Sequence, residues 1–285
     1  MSFRTVVVKD RCKLDLKMNY MVCRKPEEIK VFIPEISVLI LESTAISLTT
    51  ALLSELIKNN VKIIFCDEKH NPESELCAYY GSYNNAKKIK NQIKWSPNTK
   101  AEIWSHIIKQ KIITEKLFLE NCGFYSEAQM LEDYASNVEL NDITNREGHS
   151  AKVYFNRLFG LDFARRNCSF TNTALNYGYA ILLSCFNREI AKCGYLTQLG
   201  IWHKNEFNNF NLASDLMEPF RVLVDKIVYN LKEDSNYKME ILNIFNLQLT
   251  IDGKKQYFEN AISIYCQSVF DALDNNNKDL IKFYE

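Results

Sequence analysis

Hydrophobic and polar positions follow two different patterns along the chain. Up to about residue 70, short runs of β-branched and other apolar residues are separated by turn-like segments, a pattern typical of strands. In CKLDLK, for example, Cys12, Leu14 and Leu16 alternate with charged residues, so one face of this strand is apolar. The runs predict strands at 3–8, 12–17, 20–24, 29–33, 36–41 and 61–66 and one helix at 47–58.

Beyond a polar segment at 67–75, which we expect to be a loop, apolar residues recur at spacings of three and four. This period predicts helices at 84–94, 98–121, 126–136, 146–159, 172–193, 213–231, 237–248 and 255–273. We therefore predict an α+β fold, with a small β-rich N-terminal domain, 1–75, followed by an all-α domain, 76–285.

Composition supports a folded protein with one large or two modest domains. The 285 residues are 47% hydrophobic and 25% charged, with eight Gly and five Pro, which excludes a disordered or collagen-like chain. Lys and Arg together number 35, as do Asp and Glu, so the net charge is zero. Any nucleic-acid-binding surface must therefore be a local patch.

Charge is nevertheless segregated within the predicted helices. The segment 84–118 carries eight lysines against two glutamates, a net charge of +6, whereas 119–147 carries seven acids against one arginine, a net charge of −6. Trp95 and Trp104 interrupt the basic segment, which suits contacts with a phosphate backbone. A solvated helix face is the alternative interpretation.

Cysteine usage argues against a zinc site or a disulfide framework. The chain has nine cysteines, an odd number, and none of them form a Cys-x-x-Cys pair. Most lie in apolar runs, such as those around Cys66 and Cys185, where a thiol behaves as a small buried hydrophobe. The N-terminal apolar run is too short for a signal peptide and no run reaches membrane-spanning length. We expect a reduced, cytoplasmic protein.

Candidate chemistry rests on histidine and carboxylates. The sequence contains no glycine-rich phosphate loop, no Gly-x-Ser-x-Gly and no His-Glu-x-x-His. We expect His70, His106 and His149 to be surface or partly buried residues without a catalytic role. His203 differs, because it lies in an Asn-rich loop directly before a helix that carries several acids.

The segment GIWHKNEFNNFNLASDLMEPFRVLVD, 200–225, is the strongest candidate site. Asp215 and Glu218 are three residues apart, and Arg221 and Asp225 continue the spacing of three and four, so these side chains share one helical face. Crowded carboxylates need a compensating cation, and a mixed carboxylate and histidine set favours Mg²⁺ or Mn²⁺. The alternative is a surface network of acids paired with arginine.

Three blocks of sequence resemble the CRISPR-adaptation integrase family, the nuclease-like proteins that insert spacers into CRISPR arrays. The first joins RTVVVKDRCKLDLKMNYMVCR to ISVLILESTAISLTTALLSELIKNNVKIIFCDEKHNPESEL, the second is NREGHSAKVYF and the third is HKNEFNNFNLASDLMEPFRVLVD. The resemblance covers most of the chain and is closest to type II-A members. It implies a β-rich dimerisation domain followed by a helical catalytic domain.

Site residues follow from this resemblance, position by position. It implies a catalytic metal, Mg²⁺ or Mn²⁺, held by Glu147, His203 and Glu218. Many family members have Asp at the position of Glu218, so the side chain here is longer by one methylene. Asp215 matches an acid beside the site, as a supporting residue or an alternative ligand, and we expect Arg221 and Asp225 to support the ligands as well.

The implied reaction is metal-dependent transesterification, in which a 3′-OH of a short DNA duplex attacks a phosphodiester at the leader–repeat junction. Endonuclease activity at the same site is expected too. The expected DNA-contacting residues are Lys87, Lys88, Lys90, Lys94, Lys152, Arg157 and Arg221. For each of them an internal salt bridge is the alternative. Tyr20, in a turn of the N-terminal domain, is a candidate for splaying duplex ends.

Partners are implied by the resemblance alone. The family forms homodimers through its N-terminal domains, and two dimers flank a dimer of a small second adaptation protein to give a hetero-hexamer. Type II-A relatives also work with a ring-forming DNA-end protein and the RNA-guided effector nuclease. Two other functions remain open: a structure-specific repair nuclease that cuts branched DNA without integrating, and a non-catalytic DNA-binding scaffold.

Overall fold

The computed structural model describes residues 4–76, 84–232 and 235–285, and the chain divides into two units, Met1–Gly81 and Ser82–Glu285. Each unit is described by itself. Position 3 of the first predicted strand and Cys77 lie outside the described residues.

The described residues of the N-terminal unit form two four-stranded sheets and one α-helix. Its elements are β1 (Arg4–Val8), β2 (Lys13–Lys17), β3 (Tyr20–Arg24), β4 (Ile29–Phe32), β5 (Ile36–Leu41), β6 (Ser47–Leu48), α1 (Thr50–Lys58), β7 (Lys62–Cys66) and β8 (Pro72–Leu76). One sheet has the order β1-β5-β7-β8 and the other has the order β4-β3-β2-β6. Every residue of β5 is buried, as expected for a strand with parallel neighbours on both sides.

A single apolar core joins the two sheets and α1. Leu14 and Met21 from one sheet, Leu39 and Ile63 from the other and Leu52 of α1 belong to the same buried cluster. The alternation of apolar and polar residues in the sequence thus turns one side of each strand toward this core, as a period of two residues predicts. Tyr20 follows the left-handed residues Met18 and Asn19, and its ring lies against Phe32.

The segment 67–75 was expected to be a loop, and this expectation is wrong for its second half. Pro72–Leu76 forms β8, an antiparallel edge strand on β7. Its polar sequence, PESEL, hides the strand, because an edge strand exposes one side to solvent and tolerates Pro as its first residue.

Helices dominate the C-terminal unit. They are α2 (Asn85–Lys94), α3 (Pro97–Asn121), α4 (Tyr125–Ser136), α5 (Arg146–Phe159), α6 (Phe170–Lys192), α7 (Asn211–Leu216), α8 (Arg221–Tyr229), α9 (Tyr237–Leu242) and α10 (Phe258–Asn275). The first five agree with the predicted helices to within two residues at each end. The α+β fold class is confirmed. The helical unit adds one antiparallel hairpin, β9 (Gln248–Ile251) with β10 (Lys254–Tyr257), around the left-handed turn residues Asp252 and Gly253.

The predicted helix 213–231 is interrupted in the structure. Residues Glu218–Phe220 form a 3-10 turn between α7 and α8, with Phe220 N–H bonded to Met217 O at 2.9 Å. Pro219 is the physical reason, because it has no N–H to continue the α-helical ladder. Asp215, Glu218 and Asp225 thus lie in three different elements, α7, the 3-10 turn and α8, and not on one continuous helix.

Of the eight cysteines among the described residues, five are buried, namely Cys12, Cys66, Cys185, Cys193 and Cys266, in line with their apolar surroundings in the sequence. No helix within the described residues has both the length and the apolarity to cross a bilayer.

Candidate active site

Asp215 is the organising carboxylate of the 200–203 loop. It is fully buried and accepts hydrogen bonds from the backbone N–H groups of Ile201 at 2.6 Å, Trp202 at 3.1 Å and His203 at 3.1 Å. The His203 ring donates from Nδ1 to Asp215 Oδ1 at 2.6 Å. A Cβ at Gly200 would lie 2.7 Å from Asp215 Oδ2, so this close approach requires glycine. Asp215 therefore ties three consecutive backbone N–H groups and the His203 ring to α7.

This hydrogen bond also sets the state of His203. The bond to Asp215 raises the pKa of His203 above its ordinary value, burial opposes the rise, and the negative charges of Asp215 and Glu218 add to it. Because Nδ1 is engaged, Nε2 is the ring nitrogen left for another partner. His203 is thus oriented before any substrate arrives.

Glu147 lies in the first turn of α5, where the helix begins at a tight turn. Asn145, the residue before the helix, has left-handed dihedral angles, and the Asp142 carboxylate accepts from the N–H groups of Arg146 at 2.8 Å and Glu147 at 3.1 Å. An acid in the first turn is favourable, because the helix dipole presents its positive end there. The cap therefore fixes the position from which the Glu147 side chain extends.

Glu218 comes from the 3-10 turn at Pro219 and is buried among positive charges. Arg221 donates from Nε to Glu218 Oε1 at 2.9 Å, and the Lys111 ammonium lies 2.7 Å from Oε2. Burial alone would raise the pKa of Glu218, but the charges of Arg221 and Lys111 outweigh it and lower the pKa to about 2. Glu218 is therefore ionised at neutral pH.

Lys111 connects the two glutamates that the sequence assigned to the metal. Its ammonium pairs with Glu147 as well as with Glu218, and the side chain is almost completely buried. Burial would lower the pKa of Lys111, but the nearby charges of Glu218, Glu147 and Glu115 raise it, so this lysine stays charged. In the described part of the chain, no group of three His, Cys, Asp or Glu side chains is already arranged to hold a metal ion. Glu147 and Glu218 converge instead on this ammonium.

A cavity of about 410 Å³ opens beside these two glutamates. Its walls carry the basic side chains of Lys152, Arg165 and Arg221, and the residues that line it include Glu115, Glu147, Glu218, Tyr179 and Asp225. His203 is not one of its lining residues. The cavity combines anion-binding side chains with the paired acids.

Two buried acids at this cavity hold their protons unusually tightly. Burial raises the pKa of Glu115 to about 8, although the charge of Lys111 and a 2.7 Å hydrogen bond from Ser150 oppose the rise. Burial likewise raises the pKa of Asp225 to about 6, against hydrogen bonds from the hydroxyls of Tyr179 and Tyr154. Asp225 therefore bonds to two tyrosines and contacts neither Glu147 nor His203 through a hydrogen bond.

The expected DNA-contacting residues fall into separate groups. Lys87, Lys90 and Lys94 are exposed on α2, and Lys88 lies over the Tyr195 ring at 5.5 Å. Gln92 of the same helix donates to the carbonyls of Leu196 and Leu199, so α2 packs beside the segment that leads to His203. Lys152 is exposed at the cavity, whereas Arg157 pairs with Glu127 at 3.3 Å and covers the Phe124 ring. Arg157 therefore forms the internal salt bridge that was the alternative to a DNA contact.

Sequence reasoning missed Lys111, Glu115 and Arg165. It counted Lys111 with the basic surface of 84–118, but the structure buries this side chain between acids. A signal was present, because Lys111 and Glu115 fall on the same helical stripe as the buried Ile108 and Ile112. Charged residues at core positions of an amphipathic helix need buried partners.

Two solved structures, of a casposase and of a Cas6-RT-Cas1–Cas2 complex, contain chains with the fold of this protein. A casposase bound to its integration product has the same fold, with a TM-score of 0.77 and 20% identity over 97% of this chain and 92% of that one. The fold also matches a chain of a Cas6-RT-Cas1–Cas2 complex, with a TM-score of 0.71 and 17% identity over 98% of this chain and 36% of that longer chain.

Sequence comparison then identifies the family to which the chain belongs. The CRISPR-associated endonuclease Cas1 of Neisseria meningitidis serogroup C (strain 8013) is 32% identical over 290 aligned residues, which cover 98% of this chain and 95% of that protein. The family model for CRISPR associated protein Cas1 matches residues 5–261. This chain belongs to the Cas1 family, which confirms the resemblance found in its sequence.

Proposed function

We propose that this chain is a metal-dependent DNA endonuclease and integrase of CRISPR spacer acquisition, which joins the 3′-OH ends of a short duplex to the leader–repeat junction by transesterification. The observation that carries the proposal is the meeting of Glu147 and Glu218 at one buried cation, beside a cavity lined by Lys152, Arg165 and Arg221. The name of the Neisseria relative, an endonuclease, and the integration product of the casposase support this reaction class.

The residue types that the resemblance assigns suit a divalent metal, although the described residues contain no group of three such side chains already arranged around one point. Glu218 Oε2 is buried and, apart from its ion pair with Lys111, has no hydrogen-bond partner among the described residues. Two carboxylates and one imidazole nitrogen are donors that Mg²⁺ or Mn²⁺ accepts. Glu147, Glu218 and Nε2 of His203 would hold this ion, with Asp215 orienting the imidazole through Nδ1. When bound, the ion supplies Lewis-acid polarisation of a phosphoryl oxygen.

The protein's own side chains supply the rest of the electrostatics. Arg221 and Lys111 keep positive charge at the carboxylates, and Arg165 and Lys152 extend it along the cavity wall. Positive groups fixed in place stabilise the charge that develops on a reacting phosphate, because they need no reorganisation as the reaction proceeds. Glu218 stays ionised at neutral pH, since its pKa is about 2, and it is therefore ready to bind a cation.

Assembly follows the same proposal. The N-terminal unit would form a homodimer, and two dimers would flank a dimer of the small second adaptation protein, which the presence of Cas2 in the matched Cas6-RT-Cas1–Cas2 complex supports. The type II-A affinity, the ring-forming DNA-end protein, the effector nuclease and a cytoplasmic location remain predictions of the sequence. Duplex DNA is the proposed substrate in every case.

A strand-transfer assay tests the function. Supercoiled DNA carrying a leader and repeat would be mixed with the small partner, a short duplex with free 3′-OH ends and Mn²⁺ or Mg²⁺, and wild type would be compared with Glu218→Ala. Joining at the leader–repeat junction that the variant loses would support the integrase. Metal-dependent nicking without joining would favour the repair nuclease, and DNA binding without either reaction would leave a scaffold.

A further inference from the structure

Tyr284 lies against the 3-10 turn that carries Glu218. Its hydroxyl donates a hydrogen bond of 2.8 Å to the carbonyl of Pro219, the residue directly after Glu218. The centroid of its ring lies 4.7 Å from that of Phe220, the last residue of the turn. Phe220 is fully buried and Tyr284 is 6% exposed. The Tyr284 side chain thus contacts both residues that follow Glu218 in the turn.

The segment 281–285 holds Tyr284 in place from its other side. Tyr284 forms an antiparallel β-bridge with Ile251 of β9. The N–H of the next residue, Glu285, donates to the carbonyl of Thr250 at 2.9 Å. The backbone of Tyr284 is therefore tied to the hairpin, and the hydroxyl reaches Pro219 from a fixed point.

The turn depends on side-chain support because a proline lies in it. Pro219 has no N–H, so it cannot donate a backbone hydrogen bond to stabilise the turn. The Thr114 hydroxyl of α3 is also near the Pro219 carbonyl, at 3.5 Å, but it donates to Lys111 O of its own helix at 2.7 Å. Tyr284 therefore supplies the shorter of these two side-chain contacts with the carbonyl.

A hydrogen bond at this carbonyl bears on Glu218 because the two residues share a peptide bond. The Glu218 carboxylate accepts from Arg221 at 2.9 Å and lies 2.7 Å from the Lys111 ammonium. These contacts place the carboxylate only while the backbone of the turn keeps its position. A buried carbonyl that loses its donor is costly, so the turn would move to find another partner.

We propose that Tyr284 is a positioning residue for Glu218, which fixes the turn so that the carboxylate is placed to bind a divalent cation. The inference rests on the proposed function, in which Glu218 is a metal ligand. It adds a residue that acts on this ligand through the backbone and from a segment outside the three sequence blocks that carry the family resemblance.

Metal binding tests the proposal without DNA. Tyr284→Phe removes the hydroxyl and keeps the ring against Phe220. We expect it to weaken Mn²⁺ binding by the full chain, measured by isothermal titration calorimetry, by about fivefold, the loss that one buried hydrogen bond causes. Strand transfer by this variant should fall at low Mn²⁺ and recover at high Mn²⁺, a rescue that a misfolded protein would not show.

Tyr265→Phe is the matched control. Tyr265 belongs to the same buried aromatic cluster, with its ring centroid 5.2 Å from that of Phe220. Its hydroxyl has no hydrogen-bond partner among the residues that the structure describes. The same chemical change at this position should therefore leave Mn²⁺ affinity unchanged.

Hydrogen exchange in EDTA follows the turn in the absence of metal. Amides of residues 217–222 should exchange faster in Tyr284→Phe than in wild type, whereas those of α3 should keep their rates. Where wild type binds Mn²⁺, an unchanged affinity in Tyr284→Phe would overturn the proposal. Equal effects of the two Tyr→Phe variants would also overturn it, as would faster exchange throughout the helical unit, the sign of a purely structural role.

Failure of the proposed function gives different results. If wild type binds no Mn²⁺ but exchange rises only at the turn in Tyr284→Phe, the hold of Tyr284 on the turn is retained and the metal site is rejected. If Mn²⁺ binding is weakened as expected but wild type performs no strand transfer, the positioning role is retained and the integrase is rejected.

Discussion

The ammonium of Lys111 lies 2.7 Å from Oε2 of Glu218 and also pairs with Glu147, inside the helical unit. One buried cation thereby offsets two acids that come from different elements, α5 and the 3-10 turn after α7. Two such carboxylates would repel each other without it, and burial strengthens that repulsion. The lysine therefore determines how the acids meet before a metal is added.

Replacing Lys111 with Met should destabilise the protein by about 3 kcal/mol or more, because it leaves buried acids without their partner. A divalent ion would restore the missing charge, so added Mn²⁺ should raise the melting temperature of Lys111→Met more than that of wild type. Differential scanning fluorimetry with and without Mn²⁺ measures both effects. Lys109→Met changes an exposed lysine on the same helix and is the control. Identical melting and Mn²⁺ responses in wild type and Lys111→Met would show that this lysine does not hold the acids together.

Asp215→Asn should lower the pKa of His203, because the hydrogen bond to Asp215 is the main cause of its raised value. In wild type this pair stabilises the fold fully below the ordinary histidine pKa of 6.5, and the contribution is lost as pH rises through the raised pKa. An NMR titration of the metal-free protein measures the shift. We also expect at least a tenfold loss of strand transfer, with DNA binding retained. An unchanged His203 pKa in Asp215→Asn would contradict the assignment.

Glu115→Gln should flatten the pH dependence of stability. The pKa of Glu115 is about 8 in the folded protein against an ordinary 4.5, so the folded state keeps a proton that the unfolded chain releases. Stability therefore falls as pH rises from about 4.5 to about 8. Between these limits the melting temperature of wild type should drop by several degrees more than that of the variant, at roughly 2–4 °C per kcal/mol. Glu139→Gln, at an exposed acid, should behave like wild type, and parallel curves for all three proteins would reject the buried proton.

Neutralising Lys87 and Lys90 should flatten the salt dependence of DNA binding. Both side chains are exposed on α2, and the slope of log K against log salt should become shallower by about 0.9 for each DNA phosphate that a lysine no longer neutralises. The double variant Lys87→Gln/Lys90→Gln would be compared with Lys254→Gln/Lys255→Gln, which removes equal charge from the exposed β10 strand. Equal slopes in the two double variants would show that α2 is a solvated helix face and does not contact DNA.

The spacing of apolar residues was sufficient to predict most helices and strands, because it shows which side of each element is buried. The strand 12–17 and the helices 98–121 and 146–159 agree closely with β2, α3 and α5. The edge strand β8 escaped notice because its residues are polar, and the hairpin of β9 and β10 because its short runs were read as helix ends. In both cases tertiary pairing decided a conformation that local pattern left ambiguous.

The sequence named candidate site residues but not their arrangement, and their role in binding a metal stays a prediction. The family resemblance selected Glu147, His203 and Glu218, and the structure brings the two glutamates together. The role of Lys111 depends on α3, α5 and the turn at Pro219 meeting in three dimensions, and no spacing along the chain encodes that meeting. Arg165 likewise reaches the cavity from a segment that has no motif of its own.

The carboxylate of Asp215 holds both the backbone of Trp202 and the imidazole of His203, and this sharing has an evolutionary consequence. A substitution at position 215 alters two properties at once, so drift there is penalised twice. Position 202 bonds to this acid only through its backbone N–H, which any residue except proline supplies. We therefore expect substitutions to be tolerated less at the acid twelve residues after the histidine than at position 202.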